Sequence, residues 1–188
     1  MNVNTKRSIE EAFDKLIQKE LLNKITIKRI CDEVGINRQT FYYYYKDIID
    51  LLVSSTADDI YARIEGGKSY NTWTYGFLQT MRYIRENKCR VKHIYYSSYW
   101  DEVDIYFIRF NKKLLTNVVK ECANSLNSDI SDEYLRFIVH IYNMIFHGVF
   151  IEYIESDMKT EPEVVLSKLL KVISGEIPRA ICAYSNRY

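Results

Sequence analysis

The side chains best suited to chemistry stand close together between positions 38 and 46. The segment offers hydrogen-bond donors, acceptors and aromatic rings, carried by Arg38, Gln39, Thr40, Tyr42, Tyr43 and Lys46. Arginine and glutamine can each make paired hydrogen bonds with the edge of a DNA base, and threonine, tyrosine and lysine can hold phosphates. The same residues could also form an ordinary solvated helix surface, so this pattern alone leaves both interpretations open.

The run of four tyrosines from Tyr42 to Tyr45 favours the functional interpretation. A short helix cannot bury all four rings, so at least two must face solvent or a partner. Exposed large aromatic side chains that lie together often mark a binding surface. The segment is therefore predicted to touch another molecule.

Two short helices separated by a tight turn are predicted to position these side chains. Ile27, Ile30, Cys31 and Val34 follow helical spacing behind the candidate N-cap Thr26. Gly35 suits the left-handed end of that helix, and Asn37 suits the N-cap of the next. Phe41 and Tyr45 lie one turn apart as inward anchors. Residues 26–46 thus predict a helix-turn-helix, preceded by an amphipathic helix over about 6–20.

Helices are also predicted for the remainder, because the chain has only 6 Gly and 2 Pro among 188 residues. Candidate segments are 70–87, 90–98, 101–126, 132–157 and 161–174, with a short tail helix after Pro178. Thr160 and Glu163 have capping-box spacing around Pro162. The fold class is therefore all-α, with a three-helix head over residues 1–47 and a larger helical-bundle body over 48–188.

Composition argues against several other classes of protein. The net charge is +1, so any nucleic-acid surface must be a local patch. The cysteines form no Cys-x-x-Cys pair, and His140 and His147 lie two helical turns apart, so we expect no metal and no cofactor. No catalytic constellation is visible, and we expect no enzyme. The uncharged apolar run 137–151 is shorter than a membrane span, which predicts a cytoplasmic protein without a membrane partner.

The body offers two further candidate surfaces. Segment 132–157 is apolar on more than one face. It either forms half of a four-helix dimer interface together with segment 161–174, or it is the central helix of a monomeric core. The dimer candidates are Phe137, Ile141, Ile145, Gly148, Val149 and Leu169. The aromatic stretch 70–110 either lines a ligand pocket or forms ordinary core. The pocket candidates are Trp73, Phe77, Met81, Tyr96, Trp100 and Phe107.

A resemblance to a known family sharpens these predictions. Residues 6–52 resemble the DNA-binding domain of TetR-family regulators, above all in the segments TIKRICDEVGI (26–36), TFYYYYKD (40–47) and Leu51-Leu52. The resemblance implies phosphate contacts from Thr40, Tyr42, Tyr44 and Lys46, base contacts from Arg38, Gln39 and Tyr43, and backbone proximity for Thr26 and Lys28. The family usually has His-Phe where this chain has Tyr44-Tyr45, so the Tyr45 hydroxyl needs a hydrogen-bond partner.

The resemblance also implies what the chain does. We expect a homodimer that binds a palindromic operator in double-stranded DNA and acts as a repressor, controlled by a small molecule or a protein coregulator. The segment from Phe146 through Glu163 resembles the body of a subgroup that includes activators of dihydroxyacetone kinase operons, which respond through a protein coregulator. The alternative is a helical protein-interaction module that no longer binds DNA specifically.

Overall fold

The computed structural model describes residues 3–185, and every regular element in that range is helical. The ten α-helices are α1 (Val3–Ile17), α2 (Ile27–Val34), α3 (Arg38–Tyr44), α4 (Ile48–Arg63), α5 (Trp73–Glu86), α6 (Lys88–Tyr95), α7 (Trp100–Ser125), α8 (Asp132–Glu155), α9 (Pro162–Ile173) and α10 (Glu176–Tyr184). Single 3-10 turns lie at Leu22–Lys24 and Glu65–Gly67. The all-α prediction is confirmed.

The chain forms two compact units. The N-terminal unit holds the residues up to Tyr61 together with Asn87–Tyr106, and the C-terminal unit holds Ala62–Glu86 and the chain from Phe107 onward. Segment 87–106 therefore packs with the head although it follows α5 in sequence. The functional division at residues 47 and 48 stays a prediction, since it concerns which part binds DNA.

The predicted stripes form the core of the N-terminal unit. Five α1 side chains at helical spacing are almost fully buried: Ile9, Ala12, Phe13, Leu16 and Ile17. They pack with Ile30 and Cys31 of α2, with Phe41 of α3, and with Ile94 of α6. A continuous apolar cluster of this kind fixes the three head helices against one another.

In the C-terminal unit the backbone itself packs closely at two glycines. A Cβ atom built on Gly67 would lie 2.2 Å from the Gly76 nitrogen, and one built on Gly76 would lie 2.4 Å from the Gly67 oxygen. No side chain fits there, so the turn Glu65–Gly67 can rest directly on α5. The ion pairs Arg82–Glu163 and Arg85–Glu161 connect α5 to the start of α9.

Two local predictions were wrong. Thr160 and Glu163 form no capping box, because the N-cap of α9 is Glu161 and the Glu163 carboxylate accepts hydrogen bonds from Arg82 instead. The tail helix starts at Glu176, before Pro178. Proline is tolerated in the first turn, where an amide has no helical acceptor.

Within the described residues, one helix is long and apolar enough to cross a membrane. α8 contains an 18-residue window that is apolar enough by length and composition, and 44% of that window is buried within the protein. The window is longer than the uncharged run 137–151 because up to two charged residues are allowed within it. A core helix of a water-soluble protein passes the same test, so the window is weak evidence for a membrane.

Candidate nucleic-acid interface

The turn between α2 and α3 is built from the predicted capping residues. The Thr26 hydroxyl oxygen accepts from the Arg29 backbone N–H at 3.3 Å, and Asn37 Oδ1 accepts from the Thr40 N–H at 2.8 Å. Gly35 ends α2 with φ of 74°, in the left-handed region that glycine adopts without strain. α3 therefore starts at a fixed point, three residues after the turn glycine.

Two aromatic anchors hold α3 on the head core. Phe41 and Tyr45 are both buried, with ring centroids 5.9 Å apart. The Tyr45 hydroxyl donates a 2.6 Å hydrogen bond to Glu10 Oε1 on α1. Burial and this bond to a carboxylate raise the pKa of the Tyr45 phenol far above its usual range. The hydroxyl thus has the hydrogen-bond partner it was expected to need, although no sequence pattern points to Glu10.

The side chains predicted to meet DNA lie at the surface of the protein. Tyr42 is 55% exposed and Tyr43 is 64% exposed. Thr26, Lys28, Arg38, Gln39 and Lys46 are exposed as well, while Thr40 and Tyr44 are half-buried. The Thr40 hydroxyl already donates to Asn37 Oδ1 at 3.0 Å, so a phosphate would compete with the cap for that proton. Whether each side chain touches DNA stays a prediction.

The charge of this surface is local and positive. Lys28, Arg38 and Lys46 contribute three cationic side chains from the predicted set, and none of that set is acidic. Arg29 is engaged with Glu20 at 2.7 Å and is therefore less available to a phosphate. The helix-turn-helix as a whole exposes more cationic than acidic side chains, since Asp32 and Glu33 of α2 are exposed as well, and this local excess of positive charge suits a polyanion.

A buried arginine that the sequence did not single out holds α6 against the helices of the head. Arg90 is only 4% exposed, and its guanidinium donates to the Asp14 carboxylate, to Ser55 Oγ at 3.1 Å and to Thr56 Oγ1 at 2.9 Å. Burial raises the pKa of the Asp14 carboxyl, and Arg90 offsets part of that effect. The Arg90 Cζ also lies 5.8 Å from the centroid of the Phe13 ring. One side chain therefore links α1, α4 and α6.

The predicted dimer residues fall largely on one open face of α8. Phe137 is 51% exposed and Ile141 is 39% exposed, and Met144 on the same helix is 58% exposed. A Cβ atom on Gly148 would meet nothing within 4 Å. Ile145, Val149 and the buried Leu169 line a groove of about 380 Å³ between α8 and α9. This apolar face has no cover within the described chain, and its use as an interface stays a prediction.

The predicted pocket residues do not all lie in one place. Trp73 and Phe77 line a cavity of the C-terminal unit and pack on Phe146 at 5.4 and 5.2 Å. Met81 is fully buried, and Phe107 packs on Phe150 at 5.4 Å. Tyr96 and Trp100 belong to the N-terminal unit, where both rings pack on Tyr95. The cavity measures about 40 Å³, far less than the ~300 Å³ of an ordinary small-molecule site.

The C-terminal part of the chain matches a known protein family. The TetR C-terminal family described as "Transcriptional regulator C-terminal region" matches residues 71–175, which is more than half of the chain. The chain belongs to the TetR family of transcriptional regulators. The prediction of a regulator rather than an enzyme is thereby confirmed.

Individual relatives agree with this assignment. The HTH-type dhaKLM operon transcriptional activator DhaS of Lactococcus lactis subsp. lactis (strain IL1403) is 29% identical over 94 residues, which is half of either chain. A solved structure titled dihydroxyacetone kinase operon activator DhaS superposes with a TM-score of 0.66 at 22% identity, covering 98% of this chain and 100% of that one. The fatty acid degradation regulator FadR from Bacillus halodurans gives 0.59 at 12% identity, covering 93% and 97%. The predicted resemblance to the DhaS subgroup is confirmed.

Proposed function

We propose that this TetR-family regulator binds a palindromic operator in duplex DNA as a homodimer, with α3 as the recognition helix. The observation that carries the proposal is the exposure of Arg38, Gln39 and Tyr43 on a helix whose other side is fixed by Phe41 and Tyr45. A rigid short helix with outward hydrogen-bonding groups fits the major groove, where base edges differ from one another. We place the soluble protein in the cytoplasm, where its DNA is.

The division of labour on this surface follows from side-chain chemistry. Arg38 and Gln39 stand in the first turn of α3 and suit guanine and adenine edges. Lys28, Lys46 and the tyrosine hydroxyls of Tyr42 and Tyr44 suit phosphates, which set the position of the head but carry no base information. Tyr44 is neutral where the family usually has histidine, so its phosphate contact releases no counterion.

Two copies are needed to read a palindrome, and the open face of α8 supports a second copy as the partner. Its exposed apolar residues recur at helical spacing from Phe137 through Ile141 to Gly148, and the groove beside Val149 and Leu169 continues it onto α9. Packing α8 and α9 against their symmetry mates buries this face in a four-helix arrangement.

Regulation would act through the body. An effector that binds it, either a small molecule or a protein coregulator, would change the separation of the two α3 helices. A change in that spacing lowers operator affinity, because half-sites lie a fixed number of helical turns apart. The relative DhaS is named an operon activator and the structural neighbour NalD a repressor. We propose that this protein represses its target. A promoter reporter compared in cells with and without the gene tests this, because loss of a repressor raises expression.

Binding to the protein's own promoter region, measured against random duplex at several salt concentrations, tests the proposal. Three cationic side chains per head predict a slope of log K against log salt of about −5 for a dimer, since each phosphate neutralised contributes about −0.9. Specific DNA should bind about 10³-fold tighter than random duplex or better. Equal affinity for the two DNAs would favour the alternative, an interaction module that has lost specific DNA binding.

A further inference from the structure

A hydrogen bond ties the end of α3 to α1. Tyr45 directly follows α3, is 2% exposed, and donates its hydroxyl proton to Glu10 Oε1 at 2.6 Å. Lys6 Nζ lies 3.7 Å from the same oxygen, one turn before Glu10 on α1. The Glu10 carboxylate is therefore held by a hydrogen bond from the end of α3 and by an ion pair within α1.

The helix that carries Glu10 is itself firmly fixed. Ile9 and Phe13, in the inward stripe of α1, are fully buried in the head core. Asp14, one turn after Glu10, pairs with the buried guanidinium of Arg90 on α6. Glu10 thus projects from a helix that its core side chains and a second ion pair hold in place, so its carboxylate is a stationary acceptor.

The residues on either side of Tyr45 are among those proposed to touch DNA. Tyr43 and Tyr44 precede it and Lys46 follows it, whereas the start of α3 is fixed separately by the Asn37 cap. A helix of seven residues is about 10 Å long, so a rotation of about 6° around its start moves its end by about 1 Å. A displacement of that size stretches a hydrogen bond of about 2.9 Å beyond the range in which it forms.

We propose that Glu10 is a positioning residue for operator recognition, which acts on DNA through the Tyr45 hydroxyl and not by a contact of its own. By fixing the end of α3, the bond holds Tyr43 and Lys46 where a specific site requires them. Random duplex needs no such register, because its binding depends on charge and not on base contacts. The bond therefore raises the ratio of specific to non-specific affinity. This role in recognition rests on the proposed function, whereas the anchoring of α3 does not.

Four variants separate the hydrogen bond from charge and from folding. Tyr45→Phe removes the hydroxyl without a change of charge, and phenylalanine is the residue that the family usually has there, so the head should fold. Glu10→Gln and Glu10→Leu both remove the negative charge, but only glutamine keeps a side-chain oxygen that accepts a hydrogen bond. Tyr106→Phe removes an exposed hydroxyl from α7 and is the matched control.

Affinities for the promoter DNA and for random duplex give the specificity ratio of each protein. Tyr45→Phe and Glu10→Leu should each lower this ratio about tenfold, in keeping with the loss of one hydrogen bond to a charged group. Glu10→Gln and Tyr106→Phe should keep the ratio of the parent. The double variant Tyr45→Phe/Glu10→Leu should lose no more than either single variant, because both changes remove the same bond. A lower folded fraction would weaken binding to both DNAs alike and leave the ratio unchanged.

Nuclear magnetic resonance relaxation of the DNA-free protein measures the anchor itself. The order parameters of the Tyr44 and Tyr45 backbone amides should fall in Tyr45→Phe and in Glu10→Leu, while those of α2 stay as in the parent. Glu10→Gln should leave both sets unchanged. Order parameters report motion within the folded state, so a lower free energy of unfolding alone does not change them.

Several results would overturn the proposal. A ratio like the parent's in Tyr45→Phe and Glu10→Leu would overturn the role in recognition, and order parameters like the parent's would overturn the anchor. An equal fall of the ratio in Glu10→Gln and Glu10→Leu would assign the effect to the charge and not to the bond. A parent protein that binds the two DNAs equally would contradict the proposed function and the role in recognition with it, and the order parameters would still show whether Glu10 anchors α3.

Discussion

Replacing Arg90 with methionine tests whether the buried guanidinium fastens α6 to α1 and α4. The substitution keeps much of the side-chain volume but removes the hydrogen bonds to Asp14, Ser55 and Thr56. Asp14 is 48% exposed, so water replaces its lost partner and the ion pair contributes only about 1 kcal/mol. The hydroxyl bonds contribute about 0.5–1 kcal/mol each, because Ser55 also donates to a backbone carbonyl in its own helix.

Together with the lost contact to the Phe13 ring, these contributions predict that Arg90→Met lowers the free energy of unfolding by about 2–3 kcal/mol. For a chain of this length that corresponds to a melting temperature about 5–10 °C lower. Arg7→Met is the matched control, since Glu11 on the surface of α1 is the only ion-pair partner of Arg7 within residues 3–185, and the Arg7 side chain is 77% exposed. The control should change stability by less than about 0.5 kcal/mol.

Urea unfolding followed by circular dichroism measures both variants. Equal stability of Arg90→Met and Arg7→Met would refute the reasoning. In some proteins an apolar side chain in place of a buried ion pair raises stability. An Arg90→Met protein that is more stable than the parent would therefore also refute the reasoning. Operator affinity measured on the folded Arg90→Met protein adds a second readout, since Arg90 contacts α1 in the head and α4 directly after it.

Three further perturbations have defined outcomes. Tyr45→Phe should lower stability by about 1–2 kcal/mol at pH 7, and the alkaline loss of stability should be smaller than in the parent, as measured by urea unfolding between pH 8 and 11. Gly76→Ala should lower the free energy of unfolding by about 1–3 kcal/mol in thermal unfolding, because its Cβ would clash with the Gly67 backbone. Phe137→Glu should convert a dimer into a folded monomer by analytical ultracentrifugation, because it places a charge on the open face of α8.

The alkaline prediction follows from the direction of the pKa shift. The folded-state pKa of Tyr45 lies above its unfolded value near 10, so its stabilising contribution is complete below pH 10 and is lost as the pH rises further. Tyr142 behaves in the same way, since burial raises its pKa to about 12. An unchanged alkaline profile in Tyr45→Phe would contradict the assignment.

Matched controls exist for the other two substitutions. Gly148→Ala meets open space in the protomer and should stabilise α8 by up to about 1 kcal/mol, so destabilisation of the monomer would count against the open face. Ile105→Glu changes an α7 side chain of similar exposure, 48%, and should leave the oligomeric state unchanged. A Phe137→Glu protein that remains a dimer would contradict the predicted interface.

The helix-turn-helix could be predicted because its signals are local. Thr26, Gly35 and Asn37 act within three or four residues of themselves, and Phe41 and Tyr45 lie one turn apart, so spacing alone places them. Side-chain capping and left-handed glycine geometry depend on the neighbouring backbone rather than on the rest of the fold.

The features that were missed depend on partners far apart in sequence. Arg90 meets Asp14 across 76 residues, and Tyr45 meets Glu10 across 35, and no periodicity marks either pair. The spacing of Glu163 predicts a cap, but Arg82 on another helix offers its carboxylate a charged hydrogen-bond donor. The buried Asn111 interrupts an apolar stripe of α7 that includes Leu115 and Val118, but the sequence alone could not show that it lies against the cavity of the C-terminal unit.

The most direct test of the central claim compares two double variants on the protein's own promoter DNA. Arg38→Ala/Gln39→Ala removes the groups proposed to read bases from α3. Lys113→Ala/Asn117→Ala removes the same charge and the same type of amide from exposed positions on α7. We predict that the first loses at least about 10²-fold in specific affinity while its binding to random duplex falls far less, and that the second matches the parent. Specific affinity retained by the first variant, or lost equally by both, would contradict α3 as the recognition helix.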